Sequence, residues 1–138
     1  MSLLQTTVGG PYPLPQASTR ARVLVIDDES RIRLALRACL EAEGYLVDEA
    51  ADGQEGLECI RRHLPQLIIL DLSMPRMSGL AMLDELPRHC GPNLPKVIIL
   101  TAHSSPEAAS SAYDKGATAF LEKPLLPDAL RKEVERML

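Results

Sequence analysis

The sequence predicts a single α/β domain, a doubly wound parallel sheet of five strands with five helices. Three observations predict it. Apolar runs at 23–26, 67–70 and 97–100 have the unbroken hydrophobicity of strands buried on both faces. Amphipathic stretches separate them, and right-handed crossovers of that kind place helices on both sides of one sheet. A length of 138 residues, with 46% apolar and 25% charged, suits one domain with a buried core.

Residues 1–20 hold Gly9, Gly10, Pro11, Pro13 and Pro15 without periodicity and are expected to form a flexible N-terminal arm or linker, with the folded domain over 21–138. The first strand, 23–26, ends in acids. Ile32, Ala35, Leu36, Cys39 and Leu40 then follow helical spacing up to Gly44, a stop signal. A second strand is expected over 45–50, and Asp52 with Glu55 reads as a capping box opening a helix through about residue 63. The third strand, 67–70, is followed by a turn containing Pro75 and a helix over about 79–88. After the fourth strand, 97–100, Ser105 and Pro106 form an N-cap and first-turn proline, and Gly116 closes that helix. The last strand is expected over 117–121, and Pro127 opens a final helix with Leu130, Val134 and Met137 on one face.

Composition narrows the function. A net charge of −4, one Phe, no Trp and no Lys/Arg stripe argue against nucleic-acid binding by this segment. Cys39, Cys59 and Cys90 lack metal-ligand or redox spacing and read as core thiols. No apolar run spans a membrane and no signal peptide pattern opens the chain, so a cytoplasmic location is expected.

In open parallel sheets, reactive groups gather beyond the carboxyl ends of the strands. Strand one ends in Asp27 and Asp28, strand three in Asp71 and strand four in Thr101, while strand five runs into Lys123. Converging carboxylates repel, so they call for raised pKa values or a bound cation. Oxygen donors without His or Cys suit a hard ion such as Mg²⁺, which keeps waters for a phosphate.

The segments VLVIDDE (23–29), LIILDLSMP (67–75), VIILTAH (97–103) and AFLEKP (119–124), in this order and spacing, resemble the receiver domain of bacterial two-component response regulators. The resemblance covers the chain from about residue 22 to its C-terminus and implies a flavodoxin-like, CheY-like sheet of order 2-1-3-4-5. It implies that Asp71 is the phosphoacceptor, taking a phosphoryl group from a sensor histidine kinase or phosphotransfer protein. Mg²⁺ would be held by Asp28, Asp71 and the backbone carbonyl of Ser73, with Asp27 acting through water. Lys123, the Thr101 hydroxyl and the Ala102 amide would meet the phosphoryl oxygens. Thr101 and Phe120 would form the switch, Ser73 and His103 the pocket rim, and the Lys123–Pro124 bond would be cis. The remodelled surface would be that of the fourth helix, fifth strand and fifth helix, with a phosphorylation-dependent homodimer as one outcome and the output domain or target outside this chain.

Taken singly, these residues have plainer readings. Asp27 and Asp28 suit a strand-end turn, Thr101 a loop hydroxyl, Lys123 and His103 solvated positions, and Phe120 the core. A phosphatase working through an aspartyl phosphate is the enzymatic alternative; haloacid-dehalogenase-type enzymes place a second acid two residues after the nucleophile, where this chain has Ser73. A receiver used only as an interaction module would be expected to lack a pocket residue, and none is missing. The reading is therefore a regulatory domain rather than an enzyme.

Overall fold

The computed structural model describes residues 20–138; the expected arm over 1–20 lies, apart from its last residue, outside them. Five strands, β1 (Arg22–Ile26), β2 (Leu46–Ala50), β3 (Leu67–Leu70), β4 (Lys96–Thr101) and β5 (Ala119–Glu122), pair in parallel in the order β2-β1-β3-β4-β5. They alternate with helices α1 (Ser30–Ala42), α2 (Gly53–Arg62), α3 (Gly79–Cys90), α4 (Pro106–Asp114) and α5 (Pro127–Met137). The predicted fold class and sheet order are those observed.

Strand side chains alternate between faces, and the apolar runs divide accordingly. Val23, Val25, Leu67, Ile69, Ile98 and Leu100 join Leu40 of α1 and Leu130 and Val134 of α5 in one core. Leu24, Ile26, Ile68, Leu70, Val97 and Ile99 meet residues of α2, α3 and α4 in the other. Both faces of β1, β3 and β4 are covered, which is why their sequences show no polar alternation. No helix among the described residues is long and apolar enough to cross a membrane.

The helix boundaries follow local chemistry. Asp52 accepts the Glu55 N–H at 2.9 Å, while the Glu55 carboxylate accepts from Ala51 N at 2.6 Å, one residue further back than a standard capping box. Ser78 and Ser105 cap α3 and α4 through the N–H groups of Ala81 and Ala108. Gly44, just beyond α1, has φ 93°, a left-handed conformation that ends a helix readily.

Several element ends differ from the sequence-based expectation: β1 begins one residue earlier, β4 is longer by one residue at each end, and β5 runs on to Glu122. β2 starts at Leu46, one residue later. α3 continues through Pro87 to Cys90, because a proline in the last turn removes one N–H while Leu86 and Cys90 are buried against the sheet. β5 starts at Ala119 because the Ala117 N–H is bonded to Ala112 O, closing α4.

Candidate functional site

The site lies at the carboxyl edge of the sheet, where crossovers leave in opposite directions from β1 and β3. Asp27 and Asp28 follow β1, Asp71 follows β3, Thr101 ends β4 and Lys123 follows β5. Parallel register aligns these ends: Ile26 pairs with Leu70, and Thr101 with Glu122. A cleft of about 410 Å³ opens there, lined by Asp28, Glu29, Asp71, Ser73, Ala102, His103 and Lys123.

Asp27, Asp28 and Asp71 each offer a carboxylate oxygen within 4.8 Å of the others. Asp28 is exposed, whereas Asp71 is only 5% exposed and Asp27 is buried. Lys123 Nζ stands among them, 2.7 Å from Asp27, 3.2 Å from Asp71 and 3.6 Å from Glu29. One ammonium thus faces several carboxylates, and the local field is negative. Burial pushes the Asp27 carboxyl above its ordinary range, and the Asp71 charge adds to this against the opposing contacts of Lys123 and the Glu29 N–H. Burial alone would lower Lys123, but the hydrogen bonds and charges of Asp27 and Asp71 outweigh it and hold the ammonium above its ordinary value. An uncompensated set of hard oxygen donors on an open cleft fits a small divalent cation.

The loop carrying Asp71 is held against α3. The Gly79 N–H donates to Leu72 O at 3.0 Å, and a Cβ on Gly79 would stand 2.4 Å from Asp71 O. Only a glycine permits this approach. The Ser73 N–H points to Asp71 Oδ1 at 3.3 Å.

Thr101 is fully buried, with Oγ1 accepting the His103 N–H at 3.1 Å, while its carbonyl accepts the Lys123 N–H at 2.9 Å. Ser73, Ala102 and His103 are exposed around the cleft. Asp27 and Thr101 sit behind its lining. Phe120 lies on β5, partly buried against the core beneath α2, α3 and α4. The Lys123–Pro124 peptide is cis.

Two residues near the site had no role in the sequence reading. Glu29 reaches Lys123 from the cleft wall; its signal was present as the third acid in Asp27-Asp28-Glu29. Arg33 donates to Asp27 O at 2.6 Å and pairs with Glu49, a contact no spacing rule indicates.

Chemotaxis protein CheY4 of Vibrio cholerae superposes with a TM-score of 0.79 at 33% identity, covering 87% of this chain and 100% of that one. The receiver domain of NtrX from Brucella abortus gives 0.77 at 37% identity, covering 84% and 97%. Among relatives by sequence, the transcriptional regulatory protein PdtaR of Mycobacterium tuberculosis is 39% identical over 116 residues, 83% of this chain and 55% of that protein. The response regulator MprA of Mycobacterium leprae is 37% identical over 117 residues, 85% and 50%. The chain spans about half the length of these curated relatives. The family model described as the response regulator receiver domain matches residues 23–135, nearly everything from the first strand to the last helix, and the chain belongs to that family.

Proposed function

We propose that the chain is a phosphoacceptor switch in which Asp71 takes a phosphoryl group, in a Mg²⁺-dependent reaction, from the phosphohistidine of a sensor histidine kinase or phosphotransfer protein. The observation that carries this reading is the nearly buried Asp71 carboxylate at an open cleft, with Lys123 at 3.2 Å and two carboxylates beside it.

An Asp71 oxygen forms a bond to phosphorus while the bond from phosphorus to the donor imidazole nitrogen breaks. The electron pair returns to the imidazole, which takes up a proton. Asp28, Asp71 and the Ser73 carbonyl would hold Mg²⁺, with Asp27 through water. Bound there, the ion offsets the charge that builds between two anionic reactants. Lys123 serves Asp71 first and the phosphoryl oxygens afterwards. The Thr101 hydroxyl accepts from His103 N, which leaves its own proton to donate, and the Ala102 N–H is a second donor. Ser73 and His103 on the rim govern water access and so the lifetime of the acyl phosphate.

The output is conformational. Thr101 turns toward the phosphoryl group, Phe120 follows, and the α4-β5-α5 face changes its fit to an output domain or target outside this chain, or to a second copy in a homodimer. A few kcal/mol of differential binding between two states suffices. The domain turns over no external substrate, assists only its own aspartyl chemistry, and works in the cytoplasm without binding nucleic acid or membrane.

Incubation with Mg²⁺ and acetyl phosphate, followed by intact mass, tests the reading. The expected result is a metal-dependent gain of one phosphoryl group that Asp71→Asn abolishes. Absence of any gain while Mg²⁺ demonstrably binds would overturn it in favour of an interaction module independent of phosphorylation.

A further inference from the structure

We propose that Asp52 is a positioning residue for the phosphoacceptor loop, acting through its ion pair with Arg76; the inference rests on the function proposed above. The loop over residues 72–78 has little regular hydrogen bonding: Ser73 N points to Asp71, Met77 N bonds to Pro75 O at 2.7 Å, and Gly79 N bonds to Leu72 O. Its far end rests on the first residues of α2. The Arg76 guanidinium pairs with the Asp52 carboxylate, and the next residue, Met77, lies so close to Gly53 that a Cβ there would meet Met77 Cγ at 2.8 Å.

The two partners are unequal. Arg76 is 69% exposed, whereas Asp52 is 1% exposed. The two Asp52 oxygens divide their work, Oδ1 capping α2 through Glu55 N and Oδ2 receiving Arg76. These contacts, the Glu55 N–H foremost, hold the Asp52 carboxyl below its ordinary range and so keep it charged. Arg76 itself has φ 65°, and among the described residues it is the one non-glycine with positive φ. Glycine would adopt that conformation freely, so a side chain there must be offset by a contact. The ion pair is that contact. It ties the loop tip to α2, as Gly79 ties the loop base to Leu72, and Ser73 lies between the two anchors.

Electrostatics supplies a test of opposite sign. Removing a cation from the neighbourhood of a cation site would by itself tighten Mg²⁺ binding or, screened by solvent, leave it unchanged. Loss of positioning weakens it. The full chain is compared with Arg76→Gly, Arg76→Lys and the double variant Asp52→Asn/Arg76→Gly. The readouts are thermal unfolding without metal, Mg²⁺ titration followed at the Ser73 amide by NMR, and the rate of phosphoryl incorporation from acetyl phosphate.

In Arg76→Gly, a Tm close to the parent's is expected, because release of left-handed strain offsets loss of the ion pair. Its Mg²⁺ Kd is expected to rise roughly threefold to tenfold, less than for groups bonded directly to metal ligands. Its phosphorylation rate falls correspondingly. Arg76→Lys restores most of the affinity, and the double variant is no weaker than Arg76→Gly. Mg²⁺ affinity and labelling rate of Arg76→Gly within twofold of the parent overturn the proposal, whatever its Tm. A parent chain that binds Mg²⁺ but takes no phosphoryl group overturns the functional reading instead, and the same Mg²⁺ affinities then decide the role of Asp52.

Discussion

Replacing Gly79 by alanine tests whether α3 and the loop carrying Asp71 are locked by backbone contact. The new Cβ would lie 2.4 Å from Asp71 O, 2.8 Å from Leu72 Cα and 3.1 Å from Asp71 C. All three obstacles are backbone, so no side-chain rotation relieves them. Restoring ordinary contact with the carbonyl requires the helix start and the loop to separate by about 1 Å. That movement strains the 3.0 Å bond from Gly79 N to Leu72 O. Overpacking of this kind costs about 1–3 kcal/mol, and backbone obstacles argue for the upper part of that range. The lower conformational entropy of unfolded alanine returns about 0.4–1 kcal/mol. The expected loss is about 2 kcal/mol, or about 8 °C in Tm at about 4 °C per kcal/mol for a domain of this size. Urea unfolding followed by far-UV circular dichroism measures it. Gly44→Ala is the control: it has φ 93° and open space around it, so only strain of about 1 kcal/mol is expected. A Gly79→Ala variant within 0.5 kcal/mol of the parent would refute the contact argument, as would a loss no larger than that of Gly44→Ala.

Burial on α1 predicts a second contrast. Leu40 is fully buried and Leu34 is 66% exposed, so Leu40→Ala should cost about 3 kcal/mol and Leu34→Ala less than about 0.5 kcal/mol, as measured by urea unfolding. The Asp52 carboxyl titrates below its ordinary range in the fold, so its contribution is present above the unfolded pKa of about 4 and lost as pH falls through the lower folded value. Asp52→Asn keeps a capping side chain but loses the charge; it should be about 1 kcal/mol less stable at pH 7, with the difference shrinking toward zero near pH 2 in a pH series of unfolding curves. Mg²⁺ at ten times its Kd should stabilise the parent by about 1.4 kcal/mol, and differential scanning calorimetry of Asp28→Asn should show a smaller shift.

The parts of the fold legible in the sequence were those governed by local chemistry. The doubly covered strands announced themselves as unbroken apolar runs at 23–26, 67–70 and 97–100, and the serine caps and helix-stopping glycines marked helix ends. Where pairing or burial competes with local signals, the structure departs from the local pattern. Residues 117 and 118 look like strand, but the Ala117 N–H is committed to ending α4, and Pro87 looks like a stop, but burial of Cys90 carries α3 past it.

Residue order alone establishes which chemical groups reach the carboxyl edge of the sheet, because each lies within two residues of the end of an apolar run. How those groups pair depends on the folded chain. Lys123 lies nearer Asp27 than Asp71, Thr101 turns its oxygen to the His103 N–H, and Asp52 divides its carboxylate between a helix cap and a loop arginine. The physical reason is range. Periodicity and capping act within a few residues of chain, whereas Asp27 and Lys123 are brought within 2.7 Å only when parallel register aligns strand ends drawn from the whole length of the domain.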